Sequence, residues 1–172
     1  MANTEAQLLD DSSEKLVWDS QSLNVGQRLT IPNRQVVSLS FKLLKLGTPS
    51  GTISFAIRTL ADVALVSKSW GDVTNLTTTA TIYKVVYDEP VQVDEEVRIV
   101  VMGSASIGPN VNNCPMVRYQ ASNVKANELF TYHSGAWLDN ANRDCWYSYE
   151  YYDVSPSRGR HYALGKYKLE VA

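Results

Sequence analysis

Several things are scarce in this chain, and each scarcity closes off a class of function. None of its 172 residues falls in a run approaching the ~18 consecutive apolar side chains of a membrane-crossing helix, so no helical span is expected. Met1–Glu14 (MANTEAQLLDDSSE) has neither the basic start nor the apolar stretch of a secretory leader. With 16 Lys plus Arg against 18 Asp plus Glu, the net charge is -2, and nothing resembles the positive surplus of a nucleic-acid binder.

Histidine and cysteine are equally sparse. His133 stands beside a Gly turn, where it reads as a structural side chain, and His161 follows Arg158 and Arg160 in a basic turn. No G-x-S-x-G, H-E-x-x-H, phosphate-cradling Gly loop or C-x-x-C is present, so neither an enzyme nor a cofactor is expected. Cys114 and Cys145 are too few for a disulfide framework. They read as free, buried thiols in a particle assembled inside a cell, and as a bridging pair in an extracellular module.

What the chain does have is β signal. Val occurs 19 times and Tyr 10, and no 15-residue window keeps a clean helical stripe. Val37, Leu39, Phe41 and Leu43 alternate with polar residues, a Gly47–Gly51 turn follows, and Ile53, Phe55 and Ile57 alternate again. The apolar parity then shifts to Leu44 and Leu46, which predicts a bulge at that point. Further runs at Thr79–Tyr87, Val97–Met102, Met116–Ala121, Leu129–His133, Cys145–Tyr152 and Tyr162–Val171 bring the count to about ten strands, with Asp88-Glu89-Pro90 read as a loop. So many short strands without helices predict two antiparallel sheets packed face to face, with Leu39, Phe41, Ile53, Phe55, Ile57, Val85, Ile99 and Val101 in the core.

The order of motifs adds a resemblance. A G-x-P-S-G turn enters an I-x-F-x-I strand at Gly47–Ile57; a Val-rich hairpin spans Thr81–Val101; a Y-x-S-G-x-W turn precedes the last strand at Tyr132–Tyr149. Ser22–Tyr152 thereby resembles the jelly-roll β-sandwich modules of phage and viral structural proteins and of bacterial surface proteins, many of them carbohydrate-binding-like. The resemblance implies an all-β, antiparallel jelly-roll β-sandwich over 15–154. Outside it stand a polar N-terminal arm, 1–14, and a C-terminal extension, 155–172, with one further strand. It also implies a virion or extracellular location.

Candidate binding residues follow from composition. Aromatic rings crowd Tyr132–Tyr152; Trp146 and Tyr149 read as core, while Trp137, in a turn, with Tyr132 reads as a platform for a glycan. Asp139-Asn140-Ala141-Asn142-Arg143-Asp144 lacks the ligand pattern of an EF-hand, so no metal is expected. Some jelly-roll modules hold a structural calcium, and by that resemblance Asp139 and Asp144 are its candidates. Tyr162, Leu164, Tyr167, Leu169 and Val171 are candidate assembly contacts, because an added strand needs a partner edge. The acidic arm (Glu5, Asp10, Asp11, Glu14) and the basic tail (Arg158, Arg160, Lys166, Lys168) would suit head-to-tail contact between subunits.

Two functions of different class emerge. One is a non-catalytic, self-assembling structural protein: a capsid, decoration or tail component of a virion, or an extracellular fibre subunit, whose partner is itself or another structural protein. The other is a monomeric carbohydrate-binding module.

Overall fold

The structure, a computed structural model, describes residues 1–17 and 23–154. Among them are eleven strands and one short 3-10 turn, Val73–Asn75. The strands are β1 (Asn3–Gln7), β2 (Ser12–Lys15), β3 (Asn24–Leu46), β4 (Thr52–Thr59), β5 (Ala64–Asp72), β6 (Thr81–Gly103), β7 (Cys114–Gln120), β8 (Leu129–His133), β9 (Trp137–Asn140), β10 (Asp144–Cys145) and β11 (Tyr147–Asp153). Every pairing is antiparallel. The all-β fold class expected from the alternating pattern is therefore the one observed.

Two 23-residue strands, β3 and β6, organise the rest because each serves both layers. In the first layer Asn24–Ile31 lies between the second half of β6 and β8, and β6 continues outward to β4 and β5. In the second, Arg34–Leu43 lies between the first half of β6 and β11, with β1 beyond it. Strand β7 joins β3 at Leu43–Leu46 and carries β2 and β10. The change of layer occurs where Ile31 and Arg34 step out of register with β6. There Asn33 takes a left-handed φ of 44, and its N–H donates to Asp94 Oδ1 at 2.8 Å. An Asn tolerates that conformation better than a branched residue would.

The layers meet through apolar side chains. Phe41 of the second touches Phe55 of the first edge-on, with ring centroids 5.1 Å apart. All eight expected core residues are buried. Trp146 and Tyr149 are buried as well, and Tyr147, Tyr149 and Tyr151 form an inward ladder along β11. Gly26 shows how tightly the first layer is woven: a Cβ there would lie 1.9 Å from the Ile99 carbonyl oxygen, so any larger residue must displace the β6 backbone.

Four expectations need correction. The bulge foreseen at Leu43–Leu44 is not there: Leu43–Leu46 pairs with β7 in unbroken register, and Leu44 faces Met116 as a half-buried pair on the outer surface. The real bulge falls at Val37, skipped between Ser38 opposite Glu150 and Val36 opposite Tyr151 of β11, so Val36 rather than Val37 points into the core. Asp88-Glu89-Pro90 is not a loop between two strands but a protrusion within β6, tolerated because that stretch lies at a sheet edge, where Pro need donate no ladder bond.

The fourth concerns Met1–Glu14, which is not an arm outside the sandwich. It forms β1 on β11 and begins β2 on β7, and its polar residues find partners there. Gln7 is buried, its Nε2 donating to the Asp144 and Cys145 carbonyls at 3.2 Å. Asp10 accepts from Arg118 at 2.6 Å and Lys42 at 2.7 Å; Glu5 accepts from Lys125 at 2.5 Å; Arg143 lies 3.6 Å from Glu14. These acids are paired with their own domain, which removes the motive for a contact with a neighbour's basic tail.

Candidate functional site

The expected Trp137–Tyr132 platform is not assembled. Across the β8–β9 hairpin Trp137 stands opposite His133, and Tyr132 opposite Leu138. Facing residues share a side and successive residues alternate, so the two rings lie on opposite faces. Tyr132 packs toward the core. Trp137 is half-buried and clamped: its Nε1–H donates to Asp62 Oδ1 at 2.8 Å, the Arg98 guanidinium sits 5.0 Å from its ring centroid, and His133 meets it edge-on at 5.2 Å.

This clamp follows from a row of charges. Arg58, Arg98 and Arg28 stand abreast on β4, β6 and β3. Like charges directly across strands repel, and interleaved carboxylates offset that. Asp62 takes Arg58 at 2.7 Å, Asp139 takes Arg28 at 2.7 Å and Arg98 at 3.3 Å, and Glu96 accepts two bonds from Arg28 at 2.9 Å. Burial works to raise the Asp139 pKa, but hydrogen bonds from Thr131 and Arg28 and the charges of Arg98 and Arg28 outweigh it and hold the carboxyl below its ordinary range. The row is satisfied within itself.

The calcium candidates are likewise committed. Asp139 is occupied by arginines. Asp144 is wholly buried, accepting from Gln27 Nε2 at 2.6 Å and from the Val124 and Lys125 amides at 2.6 and 2.8 Å. Among the described residues no three His, Cys, Asp or Glu side chains group to hold a metal ion. Cys114 and Cys145 are buried and unbridged. The candidate assembly residues Tyr162, Leu164, Tyr167, Leu169 and Val171, and His161, lie outside the described residues.

A surface not foreseen as a site stands out instead. Thr81–Tyr87 of β6 pairs with β3 on one side and, among the described residues, with no strand on the other; β5 likewise pairs only with β4. These two open edges, one from each layer, flank a groove of about 290 Å3 lined by Lys68, Ser69 and Trp70 of β5 and Lys84, Val85 and Val86 of β6. Trp70 is the extra residue of a bulge, skipped where Ile53 pairs with Gly71 and Ser54 with Ser69, and its ring meets Tyr83 at 4.8 Å. On the outer side Ile82 and Val86 are 57% and 58% exposed, well beyond what a half-buried strand shows. Lys84 between them donates to Glu150 at 2.7 Å, and that bond, with one from Ser38, lowers the Glu150 pKa. The Tyr87 hydroxyl, facing inward, is buried with no partner among the described residues. The sequence did carry a signal: Ile82-Tyr83-Lys84-Val85-Val86-Tyr87 has apolar residues on both faces of the strand, Ile82 and Val86 flanking Lys84 on the outer one, which simple solvent exposure of that face does not explain.

No family model and no curated protein matches this chain. Solved structures similar to it include that of the infectious bursal disease virus Gt strain, at 11% identity and a TM-score of 0.38, covering 91% of this chain and 37% of that one. The infectious bursal disease virus VP2 subviral particle gives 11% identity and 0.38 over 90% and 37%, and the Gx strain 10% and 0.37 over 91% and 37%. The chain thus spans 37% of the length of the solved chains it is similar to.

Proposed function

We propose that this chain is a non-catalytic structural subunit that assembles with itself or with another structural protein, as a component of a virion or of an extracellular fibre. The observation that carries the reading is the open Thr81–Tyr87 edge with exposed Ile82 and Val86 beside it. Unpaired N–H and C=O groups along a strand are a template for another chain, and soluble monomers ordinarily blunt such edges with charge or cover them. Here Lys84 is the one charge within the edge, and it is drawn sideways to Glu150. The kind of assembly comes from the sequence resemblance to jelly-roll modules of viral and surface proteins. The glycan-binding alternative has less support, since the clamp on Trp137 and the opposed face of Tyr132 leave no shared platform.

The test is the mass of the full chain in solution across a concentration series, by size exclusion with light scattering. Association that Ile82→Lys and Val86→Lys abolish, with the β circular dichroism unchanged, supports the reading. A chain that stays monomeric up to millimolar concentration, or association indifferent to both substitutions, overturns it.

A further inference from the structure

Resting on that reading, we infer that the occupant of the β6 edge is the Tyr162–Val171 segment of a second copy, added as an antiparallel strand. Two observations bear on it: the pattern of the edge and the place where the described chain stops.

The edge presents Tyr83, Val85 and Tyr87 inward and Ile82, Lys84 and Val86 outward. Tyr167, Leu169 and Val171 alternate with Lys166, Lys168 and Glu170, which is the pattern of a strand with one buried face. Matching apolar to inward positions sets the parity, because facing residues of an antiparallel pair share a side. With Leu169 opposite Val85, Tyr167 falls opposite Tyr87 and Val171 opposite Tyr83. That register brings Glu170 to Lys84 and Lys166 to Asp88, but both are already engaged within their own molecule, Lys84 by Glu150 and Asp88 by Lys68 of β5, so the added strand would share these pairs rather than fill vacant ones. Gly165 then meets the Asp88-Glu89-Pro90 protrusion with no side chain to collide. Shifting the pairing by one residue in either direction would turn the apolar set outward. Main-chain bonds would supply affinity, and the groove beside Trp70 and Val85 would receive Leu169.

The exit of the chain favours a neighbour as donor. Strand β11 ends beside the bend, with the Val154 N–H donating to the Asn33 carbonyl at 3.3 Å. To reach the edge within one molecule the chain must pass outside β3 and β6, both of which run on unbroken through that bend into the other layer. A second copy approaches the edge from its open side without such a crossing. Reciprocal exchange between two copies would close a symmetric dimer; one-way exchange would propagate a fibre.

The test is cross-linking of the intact chain carrying either Val86→Cys or Lys168→Cys, positions that face each other on the outer side in this register. The native Cys114 and Cys145 are buried, so they do not compete. Mixing the two variants under mild oxidation should give a disulfide-linked dimer of one of each. Removal of Tyr162–Ala172 should leave a folded monomer. A double variant that closes its bridge within a monomer overturns the second copy as donor. Association that survives the truncation but not Ile82→Lys overturns this occupant while leaving the edge as an interface. A chain monomeric at every concentration overturns both readings.

Discussion

The N-terminal edge and the β6 edge solve the same problem in opposite ways. Both are outer strands with main-chain groups to satisfy. Strand β1 caps β11 with almost no apolar contribution: Asn3, Glu5 and Gln7 bond to Asp153, Lys125 and the Asp144 and Cys145 carbonyls, and Asp10 is held between Arg118 and Lys42. The β6 edge has the apolar side chains for a further strand and, among the described residues, no strand on it. Polarity of sequence is therefore a poor guide to what belongs in a sheet, since polar side chains with partners on hand hold a strand in place as well as apolar ones do.

The largest effect should come from the core that both edges share. Phe55→Ala removes the ring that joins the two layers and should cost ~3 to 5 kcal/mol in denaturant unfolding. Both edges should then lose amide protection together; separate melting of the two would show that they do not rest on one core.

Asp10→Ala should separate them. It leaves Arg118 and Lys42 without their shared acceptor, a loss of about 1 to 3 kcal/mol for hydrogen bonds to a charged group, and hydrogen exchange should rise across Ser12–Lys15 and its partner β7 while Thr81–Tyr87 is unchanged.

Acid should act in the same direction and more gently. Burial alone would raise the Glu5 and Asp10 pKa values, but their bonds and charge contacts with Lys125 and Arg34, and with Lys42 and Arg118, outweigh it and lower both. A carboxyl with a lowered folded pKa contributes stability that is complete above its unfolded value and disappears as pH falls through its folded one. The N-terminal edge should therefore loosen as pH drops below about 4, visible as early exchange of β1, while Glu14 of β2, whose pKa burial raises, works the other way. Unchanged protection down to full protonation would mean that the main-chain ladder alone holds this edge.

The smallest effect on stability should be that of Ile82→Lys, within ~0.5 kcal/mol as for surface substitutions generally, although the same change should weaken association. A large destabilisation would show that Ile82 is covered within its own molecule.

Much of this was legible in the sequence. Alternation through Leu39–Leu43 and Ile53–Ile57 determined the strands and their buried faces, because a period of two leaves one choice of side once a core exists. Tertiary structure decided what depends on neighbours distant in the chain. Whether Val36 or Val37 points inward was set by a bulge against β11, and whether Trp137 is free or clamped by Asp62 and Arg98, residues 75 and 39 positions away. The place of Met1–Glu14 was likewise decided by Arg118, Lys42 and Lys125, since a polar strand has no pattern of its own to place it and takes its position from the charges it meets.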